Sequence, residues 1–304
     1  VSYRFATPVT RGLISVIIAA IAWGTGGIVA AVLYRSSGLG PVAISFWRIA
    51  IGVALLGPWA LRRTRPAGPA ARRWVTLATG VGLAVYQTAY YAAVARSGVA
   101  FATVLTLGSA PVLIAVGARF TLGERLGPIG VTAVAVAPLG LALVAGFSGG
   151  SLAGVVLSLI SASGYAVVTV LQRSVGGVDP DRTTLHGFLV AGLCLAPLAV
   201  LEGLWPTRGD LLPTIGLLAY LGVFSTAVAY RLFFASLGRI RATTVSILTL
   251  TEPLTAAALA VLVLGEHITW PMVTGAVLLL AAVILLTHAE TRPRTPVPVL
   301  PTGL

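Results

Sequence analysis

Apolar runs of about twenty residues follow one another along this chain, with little between them but short arginine-bearing gaps. A helix needs roughly that length to cross the hydrocarbon core of a bilayer. Composition points the same way. Of 304 residues, 57% are hydrophobic and 9% are charged, whereas soluble domains carry about 25% charged residues. So little polar surface cannot cover a water-soluble fold of this length. A cytosolic enzyme, a DNA-binding protein and a disordered chain are excluded on that ground. The expected fold is an all-α integral membrane protein.

Ten spans are expected, over residues 12–34, 41–61, 74–95, 99–119, 127–147, 152–173, 183–204, 212–237, 242–264 and 269–288. What remains is short loops and two tails, too little for a separate soluble domain. The run from Gly12 to Tyr34 is longer than the roughly 7–15 apolar residues of a signal-peptide core, so it reads as a span. Residues 289–304, with Pro293, Pro296, Pro298 and Pro301, read as a disordered cytoplasmic tail. The single cysteine, Cys194, excludes an internal disulfide and reads as a small buried apolar residue.

Every one of the 20 basic residues is arginine, and the net charge is +12. Fifteen arginines fall in the tails and loops on one side of the ten-span arrangement, three (Arg35, Arg96 and Arg208) on the other, and two (Arg48 and Arg231) inside spans. Positive charge accumulates on cytoplasmic loops. The expectation is therefore a multi-pass protein of the plasma or inner membrane with both termini cytoplasmic. The basic loop Arg62–Arg73 reads as a topology determinant with affinity for anionic lipid, and no nucleic acid is expected.

The chain also resembles itself. ATVLTLGSAPVLIAVGARFTLGERL (102–126) aligns without a gap on TVSILTLTEPLTAAALAVLVLGEHI (244–268). The offset of 142 pairs Pro111 with Pro253, Glu124 with Glu266, Gly80 with Gly222, Ala93 with Ala235 and Trp23 with Tyr165. Two halves follow, 12–147 and 152–288, each with five spans. Five is odd, so the second half enters the membrane inverted. Inverted repeats allow two halves to rock about one site and expose it to either side in turn.

At these residues the sequence resembles the EamA-type branch of the drug/metabolite transporter superfamily. The carriers are Ser109-Ala110-Pro111 with Leu122-Gly123-Glu124, and Glu252-Pro253 with Leu264-Gly265-Glu266. Ala133 and Gly275 supply the small residue nine positions after each motif glutamate, and Trp23-Gly24 and Arg48 look familial. Two departures stand out: Val190 replaces Arg48 in the second half, and Ala110 replaces Glu252 in the first. The resemblance covers nearly the whole chain. It implies an inner-membrane exporter or exchanger of small metabolites, often amino acids or related compounds.

Charges inside spans are the next signal. Glu252 is the one acid deep in a span, and a carboxylate there faces a cavity or a partner. It is a candidate for proton coupling or for binding a substrate amine; the alternative is a structural ion pair with Arg48 or Arg231. Arg48 is a candidate for two-point capture of a substrate carboxylate, against snorkelling of its head to the interface. For Arg231 snorkelling is the expectation. Arg48 and Glu252 together suggest a zwitterionic substrate. Pro111 and Pro253, near mid-span at matched positions, are candidate helix breaks that free the carbonyls of Leu107 and Thr249.

Tyr86, Gln87, Tyr90 and Tyr91 form a polar-aromatic stripe on the third span. The first three are candidate substrate-binding residues, with Trp23, Tyr165 and Tyr230 as further cavity walls; the alternative is helix packing. Glu124 and Glu266 read as turn residues at helix starts. Trp47, Trp59, Trp74, Trp205 and Trp270 lie near span ends, as interfacial belts do.

Nucleophile-elbow, zinc-protease and phosphate-loop motifs are missing from the sequence. His186, His267 and His288 are scattered. No metal, cofactor or enzymatic activity is expected. The functional expectation is a secondary transporter, proton-coupled and exporting, whose partners are a small-molecule substrate and membrane lipid; a homodimer is left open. The alternatives are an uncoupled facilitator, a membrane scaffold and an intramembrane enzyme.

Overall fold

A computed structural model describes residues 7–62, 71–97, 99–145, 151–174, 180–264 and 269–291. All regular structure among them is helical. The order is α1 (Pro8–Ser36), α2 (Pro41–Arg62), α3 (Ala71–Ser97), α4 (Val99–Thr121), α5 (Pro128–Ala145), α6 (Leu152–Ser174) and α7 (Pro180–Glu202). It continues with α8 (Leu211–Gly222), a π-helical turn (Val223–Val228), α9 (Ala229–Leu237), α10 (Ala242–Leu248), α11 (Thr251–Leu264) and α12 (Trp270–Thr291). Six stretches among the described residues are long and apolar enough to cross a membrane: Pro8–Ser36, Pro41–Pro58, Phe101–Thr121, Leu152–Ser174, Thr184–Glu202 and Leu211–Leu237. The protein is thus a multi-pass membrane protein. Helix α12 runs to Thr291, three residues into the expected tail; residues from 292 on, and Glu266, lie outside the described residues.

Local chemistry sets the helix boundaries. Pro8, Pro41, Pro128 and Pro180 each open a helix, where the missing N–H is no loss and the fixed φ already suits the turn. The Thr7 side chain accepts from Thr10 N at 3.2 Å and caps α1. Gly123, with φ +65°, lies in the turn just after α4.

At one end of the bundle the α1–α2 hairpin is tied to the segment after α7. The Ser37 carbonyl accepts from Thr207 N at 3.0 Å and Arg208 N at 3.1 Å. Glu202 Oε2 accepts from Ala43 N at 2.6 Å, so a carboxylate caps the start of α2. Trp47 Nε1 donates to Leu204 O at 2.8 Å. Gly38 and Gly209 have φ of +69° and +72°. A Cβ on Gly38 would overlap Thr207 Oγ1, and one on Gly209 would overlap the Ser36 carbonyl.

The opposite end is closed by packing. A Cβ on Gly12 would lie 3.0 Å from Arg239 Cβ, so the start of α1 rests on residues 239–240. Leu13, Leu237 and Ile240 are buried there. Arg173, at the end of α6, donates from Nε to Glu124 Oε1 at 2.9 Å and from Nη1 to the Leu237 carbonyl at 3.1 Å. Glu124 lies in the α4–α5 turn, as expected, and in addition pairs with this arginine from another helix.

Three further expectations change. Helix α4 passes through Pro111 unbroken, because a proline inside a helix removes one hydrogen bond without ending the run. The break near the second proline precedes it, at Thr249–Leu250, and the Thr249 carbonyl is not freed: it accepts from Glu252 N at 2.9 Å. Cys194 is exposed, not buried. In a bilayer a small apolar residue is equally at ease on the lipid face.

Candidate functional site

Glu252 occupies the first turn of α11, where a helix start favours negative charge. Its place is set by α1. A Cβ on Gly24 would lie 2.7 Å from the Glu252 carbonyl and 2.6 Å from Thr255 Cβ, so only glycine lets the two helices approach this closely. Two residues on, a Cβ at Gly26 would overlap Ser225 Oγ of the π turn.

Arg48 enters from α2. Its Nε donates to Thr226 Oγ1 at 3.1 Å, with a longer contact from Nη2 to the Ser225 carbonyl at 3.5 Å. Both acceptors belong to the π turn. Arg48 and Glu252 line the same cavity. Arg231 does not join them. It is exposed on α9.

The cavity measures about 420 Å³, within the range of small-molecule sites. All eight side chains singled out from the sequence reach it: Trp23, Arg48, Tyr86, Gln87, Tyr90, Tyr165, Tyr230 and Glu252. Pro111 and Pro253 do not line it, but Leu107 and Thr249, four residues before each, do. Tyr34, Pro41, Val94 and Thr103 also line it. These four lie beside the α1–α2 and α3–α4 connections, so the cavity reaches the end of the bundle remote from Arg173.

Rings supply most of the walls. Trp23 meets Tyr230 edge-on at 5.0 Å, and Tyr230 meets Phe188 at 5.1 Å. Tyr86 and Tyr165 lie 5.5 Å apart, as do Tyr90 and Tyr91. Such pairs hold ring planes in fixed relation. Hydroxyls are anchored too: Tyr90 to Thr103 Oγ1 at 2.7 Å, Tyr91 to Ser45 Oγ at 2.8 Å, and Tyr165 to Thr249 Oγ1 at 3.4 Å. Trp23 Nε1 is buried without a hydrogen-bond partner.

Sequence reasoning missed Tyr34, Thr103, Ser225 and Thr226. The first three line the cavity, and Thr226 holds Arg48. Nothing marks Ser225 and Thr226 in the sequence, because a π turn within an apolar helix leaves no signature.

The chemistry available is recognition. One cation, one carboxyl group and several tyrosines line a small, largely apolar cavity. Among the described residues, no group of three or more His, Cys, Asp or Glu could hold a metal ion.

Comparison with known proteins bears on this site. The pattern of the EamA-like transporter family matches residues 10–146 and again 152–288. The chain belongs to the EamA-like transporter family, within the drug/metabolite transporter superfamily, and is a transporter rather than an enzyme. It is 29% identical to the uncharacterized transporter YwfM of Bacillus subtilis, over 92% of this chain and 95% of that one. It is 24% identical to the uncharacterized inner membrane transporter YicL of Salmonella typhimurium, over 93% of this chain and 97% of that one. A solved crystal structure shares the fold, with TM-score 0.78 at 19% identity, covering 92% of this chain and 99% of the other.

Proposed function

We propose that this protein is a proton-coupled exporter of small polar metabolites, amino acids or related compounds, working by alternating access. On this reading ten spans form two inverted halves, both termini are cytoplasmic, and the cavity opens outward. The observation that carries it is that Arg48 and Glu252 line one cavity, which reaches Tyr34 at the end of the bundle remote from Arg173. A carboxylate and an amine on one substrate would find opposite charges there. Glu252 would exchange substrate for a proton as the access side alternates.

The matched glycines support inversion. A Cβ on Gly80 of α3 would strike Val190 of α7, and one on Gly222 of α8 would strike Ile51 of α2. Under the 142-residue offset, α3 against α7 corresponds to α8 against α2.

The test is metabolite profiling of medium from cells expressing wild type, Glu252→Gln or empty vector. The expected result is one compound class outside the cells with wild type alone. Equal export by Glu252→Gln would leave an uncoupled facilitator. A wild-type profile matching empty vector would remove the export reading.

A further inference from the structure

The π turn between α8 and α9 is an anomaly that the proposed mechanism does not use. An extra residue in a helical turn costs hydrogen-bond geometry, and such turns recur at functional sites. Here its effect is visible in the backbone. Ala229 N–H, which in an α-helix would bond the Ser225 carbonyl, donates instead to the carbonyls of Phe224 and Thr226. The Ser225 carbonyl is turned towards Arg48 Nη2, 3.5 Å away, and Thr226 Oγ1 takes Arg48 Nε at 3.1 Å.

The turn packs against both helices. Gly26 of α1 leaves room for Ser225 Oγ, and a Cβ on Gly52 of α2 would lie 3.4 Å from Thr226 Cγ2, in ordinary contact. Ser225 and Thr226 are 2% and 1% exposed, so neither side chain has bulk water as an alternative partner.

The repeat provides a comparison within the same chain. The position matched to Arg48 is Val190, and those matched to Ser225 and Thr226 are Leu83 and Ala84. Both are buried, and α3, which carries them, is α-helical throughout. Where the arginine is missing, the hydroxyls and the π turn are missing with it.

We infer that the π turn is a holder for Arg48, with Thr226 as the positioning residue that fixes which edge of the guanidinium is offered to the cavity. This rests on the reading of Arg48 as a ligand-binding group. Thr226 itself does not touch the substrate. Its hydroxyl and the Ser225 carbonyl engage Nε and Nη2, which directs the remaining donors of the fork to an anionic group in the cavity.

The test needs no substrate. p-Hydroxyphenylglyoxal reacts with free guanidinium groups, and its adduct at Arg48 is quantified by peptide mass spectrometry on the full-length protein in nanodiscs. Exposed Arg119 serves as internal control. Thr226→Val keeps the shape that packs on Gly52 and removes the acceptor; Thr226→Ser keeps the acceptor. The expected result is Arg48 labelling about threefold faster in Thr226→Val, the scale of one lost hydrogen bond, with Thr226→Ser at the wild-type rate and Arg119 unchanged throughout. Equal Arg48 rates in wild type and Thr226→Val would overturn the inference, as would a Thr226→Ser rate matching Thr226→Val. Export by Arg48→Gln is measured separately. If that variant exports normally, the substrate role of Arg48 fails even where the labelling shows that Thr226 holds it.

Discussion

Arg173 Nε and Glu124 Oε1 stand 2.9 Å apart, and through the Leu237 carbonyl the same guanidinium joins α6 and the α4–α5 turn to α9. The pair lies at the end of the bundle remote from Tyr34 and Pro41. The position matched to Arg173 in the first half is Ala31, which cannot form the same ion pair. A charge-assisted bond between half-buried groups contributes roughly 2 kcal/mol. Arg173→Gln is expected to loosen this end. In that background, an Ile240→Cys thiol, buried in the wild-type packing, should react with a water-soluble maleimide about tenfold faster. An unchanged rate would show that apolar packing alone holds the end shut.

Gly26→Ala should destabilise the protein by about 1–3 kcal/mol, the range for overpacking. The new methyl meets Ser225 Oγ and Cβ, so the serine or the backbone must shift. Ser225→Ala in the same chain should recover part of the loss, because Oγ is the nearer of the two Ser225 atoms. A double-mutant cycle on thermal unfolding in detergent reads the coupling. Strict additivity would mean that α1 and the π turn do not press on each other.

The two prolines should behave differently despite their matched positions. Helix α4 is continuous through Pro111, so Pro111→Ala leaves its path unchanged and export should stay near wild type. Pro253→Ala restores an N–H three residues beyond the break at Thr249–Leu250, where the helix can then close. Glu252 would move with it. Export measured on the profiled compound should fall in Pro253→Ala alone, and an equal fall in both would contradict the asymmetry.

Cys194→Ala should be silent, within about 0.5 kcal/mol of wild type. The residue is exposed on α7 and is the single cysteine of the chain. The check is thermal unfolding of the purified variant, which also supplies the thiol-free background for the maleimide experiment.

The cavity was legible because polar and aromatic side chains are conspicuous in an apolar sequence. Glu252, Arg48 and the Tyr86–Tyr90 stripe stand out by chemistry, and each reaches one cavity. What surrounds them was not legible. In water, apolar periodicity separates inside from outside; in a bilayer both faces are apolar, and that contrast is lost. The sequence therefore held no register information for Leu211–Leu237, which reads as one helix and contains a π turn. Cys194 was misplaced for the same reason. The Arg173–Glu124 pair escaped because the two lie 49 positions apart, in segments that read as cytoplasmic gaps.

The knot of hydrogen bonds around Ser37 sets an order of assembly. Ser37 and Thr207 are bonded across about 170 residues of chain. At a synthesis rate of about 5–20 residues per second, that interval lasts roughly 10–30 s. Through it, the Ser37 carbonyl and the start of α2 lack the groups that will satisfy them. The first hairpin must therefore be held in the membrane, by lipid or by the insertion machinery, until Glu202, Thr207 and Arg208 emerge. The α1–α2 pair is made before α7 and is secured only after it.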